Sequence, residues 1–306
     1  TFSTHHRLDS RVAIYNFTEP DENKPTKKTK LNHDATSSPP ERRLEREFGV
    51  PVPGEIQPMA NWTNTSLKSL PNDEHVDFKT LFGREAPIML DIGCGNGRST
   101  LSSAVWRPQF DHLASDNLPV VIRYATRRAN QRGLTNVRFT VIGGRELLAH
   151  HIAPQSITEI HVYHPQPYYD PKLIHKRLIT PEFVSLVHQA LIPGGLFVIQ
   201  TDNPAYWNYM RKVIPLFFEF EEHPGKWPDA PKGRTRREII ALKEGLPVFR
   251  GVGRPRTDIT IEEARRLADS LPAPRFNADR KLMALDEMEK ESGAKKNRPR
   301  PRNKKP

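Results

Sequence analysis

The segment LDIGCGNGRSTL (90–101) constrains this chain more than any other. Glycines at 93, 95 and 97 stand between a compact apolar run, IMLDIG (88–93), and a helix-like stretch, GRSTLSSAVW (97–106). Glycine permits φ > 0 and lets backbone come close to a ligand. A helix opening at the same point adds N–H groups that no preceding turn can satisfy. The spacing G-x-G-x-G after an acid differs from the dinucleotide pattern G-x-G-x-x-G, so the loop predicts a ligand cradle of another kind.

Downstream, short apolar runs alternate with longer amphipathic stretches. FDHLAS (110–115), VRFTVI (137–142), ITEIHVY (157–163) and GLFVIQT (195–201) read as strands. VVIRYATRRANQRG (120–133) reads as a helix stopped by Gly133. TPEFVSLVHQAL (180–191) reads as a helix capped by Thr180 with Pro181 at its first position. PLFFEFEE (215–222) fits a late antiparallel strand, and WTNTSLKSL (62–70) a short helix docked on the core. Such alternation predicts an α/β fold, with a mostly parallel sheet covered by helices on both faces.

Residues 1–46 and 289–306 are too polar to offset chain entropy by burial, so they read as disordered tails. Between them the expected units are an N-terminal extension packing on the core (47–74), the α/β domain (75–256) and a C-terminal helical extension (257–288). The single cysteine excludes an internal disulfide framework. There is no run of about 18 apolar residues, and the first thirty residues have no apolar h-region. The expectation is a soluble cytoplasmic protein with no membrane partner, the monomer being favoured.

The chain holds 47 Lys+Arg against 36 Asp+Glu, a net charge of +11. Most of that excess lies in the two tails and says little about the domain. The informative charge is local: residues 232–256 hold 8 basic and 2 acidic side chains, a composition suited to a polyanion. Arg123, Arg127, Arg128 and Arg132 share one predicted helix and read as an ordinary solvated face. His161 and His164 lack convergent partners for a metal site, so no metal is expected. Cys94 reads as a small space-filler within the glycine loop.

The glycine loop, with Asp91 before it and Asp116 at the end of the next strand, resembles motif I of the class I S-adenosylmethionine-dependent methyltransferases. The resemblance implies a Rossmann-like, mostly parallel seven-stranded sheet. It also implies S-adenosyl-L-methionine as cofactor, with Asp91 beside its methionine part and Asp116 on its ribose hydroxyls. HVYHPQPYYDPKLIHKRLITPEF (161–183), LIPGGLFVIQTDNPAYWNYM (191–210) and GRTRREIIALKEGLPVFRG (233–251) narrow the likeness. Together with VDFKTLFGREAPIMLDIGCGNG (76–97), they resemble the bacterial tRNA (guanine-N7)-methyltransferases, whose motifs run F-F-P-D-P-W, L-K-P-G-G, T-D-x-x-x-Y and T-K-F-E-x-R-G. The likeness spans roughly 76–251 and implies tRNA as partner, a guanine of the variable loop as acceptor, and a role in tRNA processing.

Carried over by position, the likeness implies cofactor contacts at Asp91, Gly93, Gly95, Gly97, Asp116 and Gly143. Gly143 replaces the family's acid near the adenine, so a backbone contact or Glu146 would have to stand in for it. The aspartate at the family's methyl-transfer centre falls on Gln166, its tryptophan on Tyr168 and a substrate lysine on Asp170. Asp202 keeps the substrate aspartate after Thr201. Thr235, Arg236, Arg237 and Glu238 fall on the last substrate motif. Gln166 and Asp202 are therefore the candidate catalytic pair. Gly143, Gln166 and Asp170 motivate a rival reading: the same cofactor with another RNA position, a protein or a small molecule as acceptor. A catalytically silent RNA-binding relative is a third, against which the glycine loop, Asp91 and Asp116 argue.

Overall fold

All five residues of IMLDI (88–92) are buried, as a central strand covered on both faces requires. The computed structural model describes residues 45–71, 74–276 and 283–284; almost all of both expected tails lies outside them. The strands are β1 (Ile88–Ile92), β2 (Asp111–Asp116), β3 (Val137–Val141), β4 (Ile157–Tyr163), β5 (Leu191–Thr201), β6 (Phe218–Glu222) and β7 (Phe249–Pro255). They form one sheet in the order β3-β2-β1-β4-β5-β7-β6. The first five run parallel. Strand β7 inserts antiparallel between β5 and β6, so PLFFEFEE does end in the late antiparallel strand.

The helices are α1 (Phe78–Phe82), α2 (Arg98–Trp106), α3 (Pro119–Gln131), α4 (Gly144–His150), α5 (Pro181–Ala190), α6 (Pro204–Val213), α7 (Arg236–Lys243) and α8 (Ile261–Ser270). Ile88, Leu90 and Ile92 pack with Leu147, Phe183, Val184 and Val187, which sets α4 and α5 on one face. Leu101, Ala104, Ile122, Ala125 and Ala129 pack with Ala114 and Phe139, which sets α2 and α3 on the other. This is the α/β sandwich expected from the alternation, with the seven-stranded, Rossmann-like sheet that the resemblance implies. Helix α5 begins at Thr180, whose side chain accepts from Phe183 N, with Pro181 at its first turn. Gly133 takes φ +65 just after α3.

Two local expectations fail. Residues 62–70 form no helix. Ser66 bridges Phe139 in parallel, Leu67 N donates to Phe139 O (2.9 Å) and Phe139 N to Thr65 O (2.9 Å). The unpaired edge of β3 offers backbone groups that a short, marginal helix cannot match. Arg128 and Arg132 are also not on a solvated face: both are buried. Arg132 pairs with Glu45 (2.7 Å), and Arg128 with Glu45 (3.1 Å) and Glu47 (3.4 Å). Those carboxylates come from a small antiparallel hairpin, Arg46–Glu47 with Val50–Pro51. Glu47 also accepts from Asn96 Nδ2 (2.5 Å) and Arg98 (3.3 Å), which ties the hairpin to the glycine loop.

The strand order reverses between β1 and β4. In an open parallel sheet, a crevice forms at such a point, beyond the carboxyl ends of the strands.

Candidate active site

A cleft of about 1110 Å³ occupies that crevice and is lined from the ends of β1, β2, β4 and β5 and the start of α7. One end is built from the glycine loop. Asp91 closes on Thr100, whose hydroxyl donates to Oδ2 (2.5 Å). Its Oδ1 is buried and, among the described residues, has no hydrogen-bond partner. Burial is the main cause that pushes the Asp91 carboxyl up to about 7. Such a carboxylate is poised for a cation.

Asp116 ends β2. Its Oδ2 accepts from Gly95 N (3.0 Å) and its Oδ1 from Leu118 N (2.9 Å). Burial raises this carboxyl too, against the backbone N–H groups that lower it. A Cβ built on Gly93, Gly95 or Gly143 would meet no atom within 4 Å, and all three line the cleft. Gly97 is different. It does not line the cleft; its φ is +74, and a Cβ there would lie 2.7 Å from Ala125 Cβ. It serves the turn into α2 and the seating of α2 on α3. Burial first, then Asp91 and Asp116, push the Cys94 thiol well above its usual range, which fits a filler and not a thiolate.

The adenine-side expectation splits. Gly143 lines the cleft, whereas Glu146 is exposed and lies outside the lining. The reading of Glu146 as a replacement carboxylate is therefore corrected: its side chain is exposed, and the cleft there is lined by Ile142, Gly143, Gly144 and Arg145.

The other end is built from β4, β5 and α7. The loop after β4 leaves the strand at His164 with φ +50 and passes Tyr168 with φ +42. Non-glycine residues rarely hold that region, and such strain persists only where the surroundings impose it. Buried Arg177 does so, donating to Pro167 O (2.7 Å) and Tyr168 O (3.1 Å). Tyr169 Oη accepts from Asn203 Nδ2 (2.9 Å). Between these pins Gln166 is exposed and lines the cleft.

Asp202, 5% exposed, follows β5. Its Oδ1 faces His164 Nδ1 (3.2 Å) and its Oδ2 accepts from Arg237 Nε (2.7 Å). Burial resists the charge, but His164 and then Arg237 outweigh it and hold the carboxyl well below the usual range. Thr235, Arg236 and Arg237 line the cleft, and Thr235 caps α7 by accepting from Glu238 N (3.0 Å).

Two expected substrate contacts are not at the cleft. Glu238 is fully buried: it accepts from Arg234 N (2.7 Å) and pairs with Arg250. Its charge is already spoken for within the fold. Asp170 is exposed, caps the backbone at Lys172 N (2.9 Å) and is absent from the lining. The sequence patterns give His164 too little weight and single out neither Arg177 nor Gln200. For Arg177 the signal was its place in a loop bounded by prolines.

The chain matches a family model described as "Putative methyltransferase" over residues 85–250. Among curated relatives it is similar to the tRNA (guanine-N7)-methyltransferase of Alkalilimnicola ehrlichii. The two are 31% identical over 221 residues, 70% of this chain and 92% of the relative. That of Halorhodospira halophila is 31% identical over 60% of this chain and 81% of the relative. That of Paenarthrobacter aurescens is 33% identical over 241 residues, 78% and 77% of the two chains. A cleft with a glycine loop at one end and a paired carboxylate at the other lies within the matched segment, and the chain belongs to the tRNA (guanine-N7)-methyltransferase family.

Proposed function

We propose that this protein methylates N7 of a guanine in tRNA, using S-adenosyl-L-methionine. The observation that carries the reading is the division of one cleft. Asp91 and Asp116 sit beside the glycine loop at one end, and Asp202, gripped by His164 and Arg237, sits at the other.

The residues present fit the cofactor. The free Oδ1 of Asp91 suits its ammonium group, each Asp116 oxygen keeps a lone pair for a ribose hydroxyl, and the cradle at Gly93 and Gly95 leaves room for its backbone-close part. When bound, the cofactor supplies a methyl group activated on a sulfonium.

The remaining work falls to the chain. Guanine N7 carries a lone pair and no proton, so no strong base is needed. Walls of the cleft hold the ring in line and keep water out; placement of this kind contributes up to about 7–11 kcal/mol in favourable cases. Positive charge grows on the ring as N7 is alkylated, and the fixed carboxylate of Asp202 stabilises it. The same carboxylate is suited to the guanine N1–H and amino group. Gln166 offers a carbonyl oxygen from the loop after β4, without a full charge. Tyr168, which lines the cleft in the place of the family's tryptophan, is the aromatic proposed to stack on a base drawn out of its stack. Arg236, Lys176 and His175 line the mouth, where phosphates of a polyanion would pass.

Incubating the protein with unmodified tRNA and methyl-labelled cofactor, then digesting to nucleosides, tests this. Label in 7-methylguanosine supports the reading; label in another nucleoside, or in none, overturns it.

A further inference from the structure

Asp202 stands at the end of a directional hydrogen-bond chain. Trp227 Nε1 donates to Gln200 Oε1 (2.5 Å). Gln200 Nε2 lies 2.8 Å from His164 Nε2. His164 Nδ1 lies 3.2 Å from Asp202 Oδ1. Trp227 and Gln200 are fully buried.

Donor and acceptor chemistry fixes the sense of each link. An indole N–H can only donate, so the Gln200 amide must turn its oxygen toward Trp227. Its NH2 group then faces His164. An NH2 group has nothing to accept with, so His164 Nε2 must offer a lone pair. The ring is therefore neutral, and its one proton sits on Nδ1, aimed at Asp202. The opposite tautomer would set two donors against each other at His164 Nε2. It would also set the Nδ1 lone pair against a carboxylate oxygen. Flipping the Gln200 amide relieves the first conflict only by setting its NH2 against the indole N–H.

The indole is itself held by two further contacts. His223 stacks on it with centroids 4.6 Å apart and planes within 7°. The Arg234 guanidinium lies 4.1 Å over its ring.

We propose that Trp227 and Gln200 are positioning residues that select the neutral Nδ1–H form of His164. In that form His164 takes one lone pair of Asp202 Oδ1 while Arg237 takes one of Oδ2. The carboxylate stays charged, fixed in rotation, with its remaining lone pairs turned to the acceptor base. The importance of this for catalysis rests on the proposed role of Asp202; the tautomer itself does not.

The test is long-range 1H–15N correlation on the full chain labelled with 15N-histidine. His164 is assigned by the signal missing from His164→Phe. At neutral pH and without ligands, His164 should show a protonated Nδ1 and an unprotonated Nε2. Gln200→Glu places an acceptor opposite Nε2, so both nitrogens should become protonated. Trp227→Phe frees the amide to flip, so an Nε2–H population should appear. Both variants should lower kcat about tenfold or more while the cofactor Kd stays within about twofold. Wild-type His164 found as the Nε2–H form or as imidazolium overturns the proposal. So does an unchanged tautomer in Trp227→Phe; unchanged kcat in both folded variants with the tautomer shifted counts against the role of Asp202 instead. The spectra are read without RNA, so an error in the acceptor would leave them intact and is separable from failure here.

Discussion

Arg237 Nε donates to Asp202 Oδ2 at 2.7 Å across 35 positions of chain, which joins the start of α7 to the end of β5 at the acceptor end of the cleft. The pair keeps a buried carboxylate ionised where positive charge is proposed to develop. Asp202→Asn keeps the shape and removes the charge. It should lower kcat by about 10²-fold or more and leave the cofactor Kd within about twofold. Steady-state kinetics with calorimetric titration check both; near-full activity would contradict the role.

Gln166 lines the same cleft, between Pro165 and Pro167, on a loop held by Arg177. Its amide oxygen carries a partial charge only. Gln166→Asp should keep activity and raise kcat by up to roughly tenfold, about 1.4 kcal/mol off the barrier. A single-turnover assay checks this, and loss of activity in a folded Gln166→Asp protein would contradict it.

Glu238 separates a structural from a substrate role. It pairs with Arg250 and accepts from Arg234 N in a fully buried site. Glu238→Gln strips a partner from a buried cation and should cost about 3–5 kcal/mol of stability. Thermal unfolding should show a clear fall in Tm, while KM for RNA, read well below that Tm, stays within about twofold. A KM rise without loss of Tm would restore the substrate reading.

Burial raises the Asp91 carboxyl to about 7 from its ordinary value of 3.8. Because the folded value lies above the unfolded one, the native state binds more protons between these limits. Asp91 therefore favours the fold as pH falls from about 7 toward about 4, and this contribution is lost as pH rises through 7. Cofactor affinity runs the other way, since a cationic ammonium needs the ionised carboxylate. Its Kd should rise by up to about tenfold per pH unit below 7, and the dependence should vanish in Asp91→Asn. Titration of the cofactor at several pH values checks this; a flat profile in the wild type would contradict it.

Much of the fold was legible because its signals are local. The glycine loop, the Thr180-Pro181 cap and the apolar runs of β1 to β5 each depend on neighbours within a turn or a strand. What was not legible depends on distant partners. Arg132 looks like a surface arginine until Glu45, 87 positions earlier, arrives on a hairpin. Residues 62–70 look helical until the edge of β3 offers its backbone. Glu238 sits in a substrate motif by position, yet Arg250 on β7 takes its charge. The Trp227–Gln200–His164 chain joins three segments and leaves no spacing to read. At the candidate site, Asp91, Asp116 and Asp202 fall on the cleft, while Glu146 lies on the exposed side of α4 and Asp170 on a bend, directions that no motif records.

N7 methylation leaves guanine with a positive charge on its ring, which makes it prone to reductive opening and chain scission by amine, unlike unmodified guanine. The most direct measurement of the central claim is to treat tRNA with the protein and cofactor, then reduce, cleave and map the breaks. Cleavage at a single guanosine, requiring both protein and cofactor and lost in Asp202→Asn, is the result predicted. Methyl incorporation without any such cleavage would place the methyl group on another atom and contradict the account.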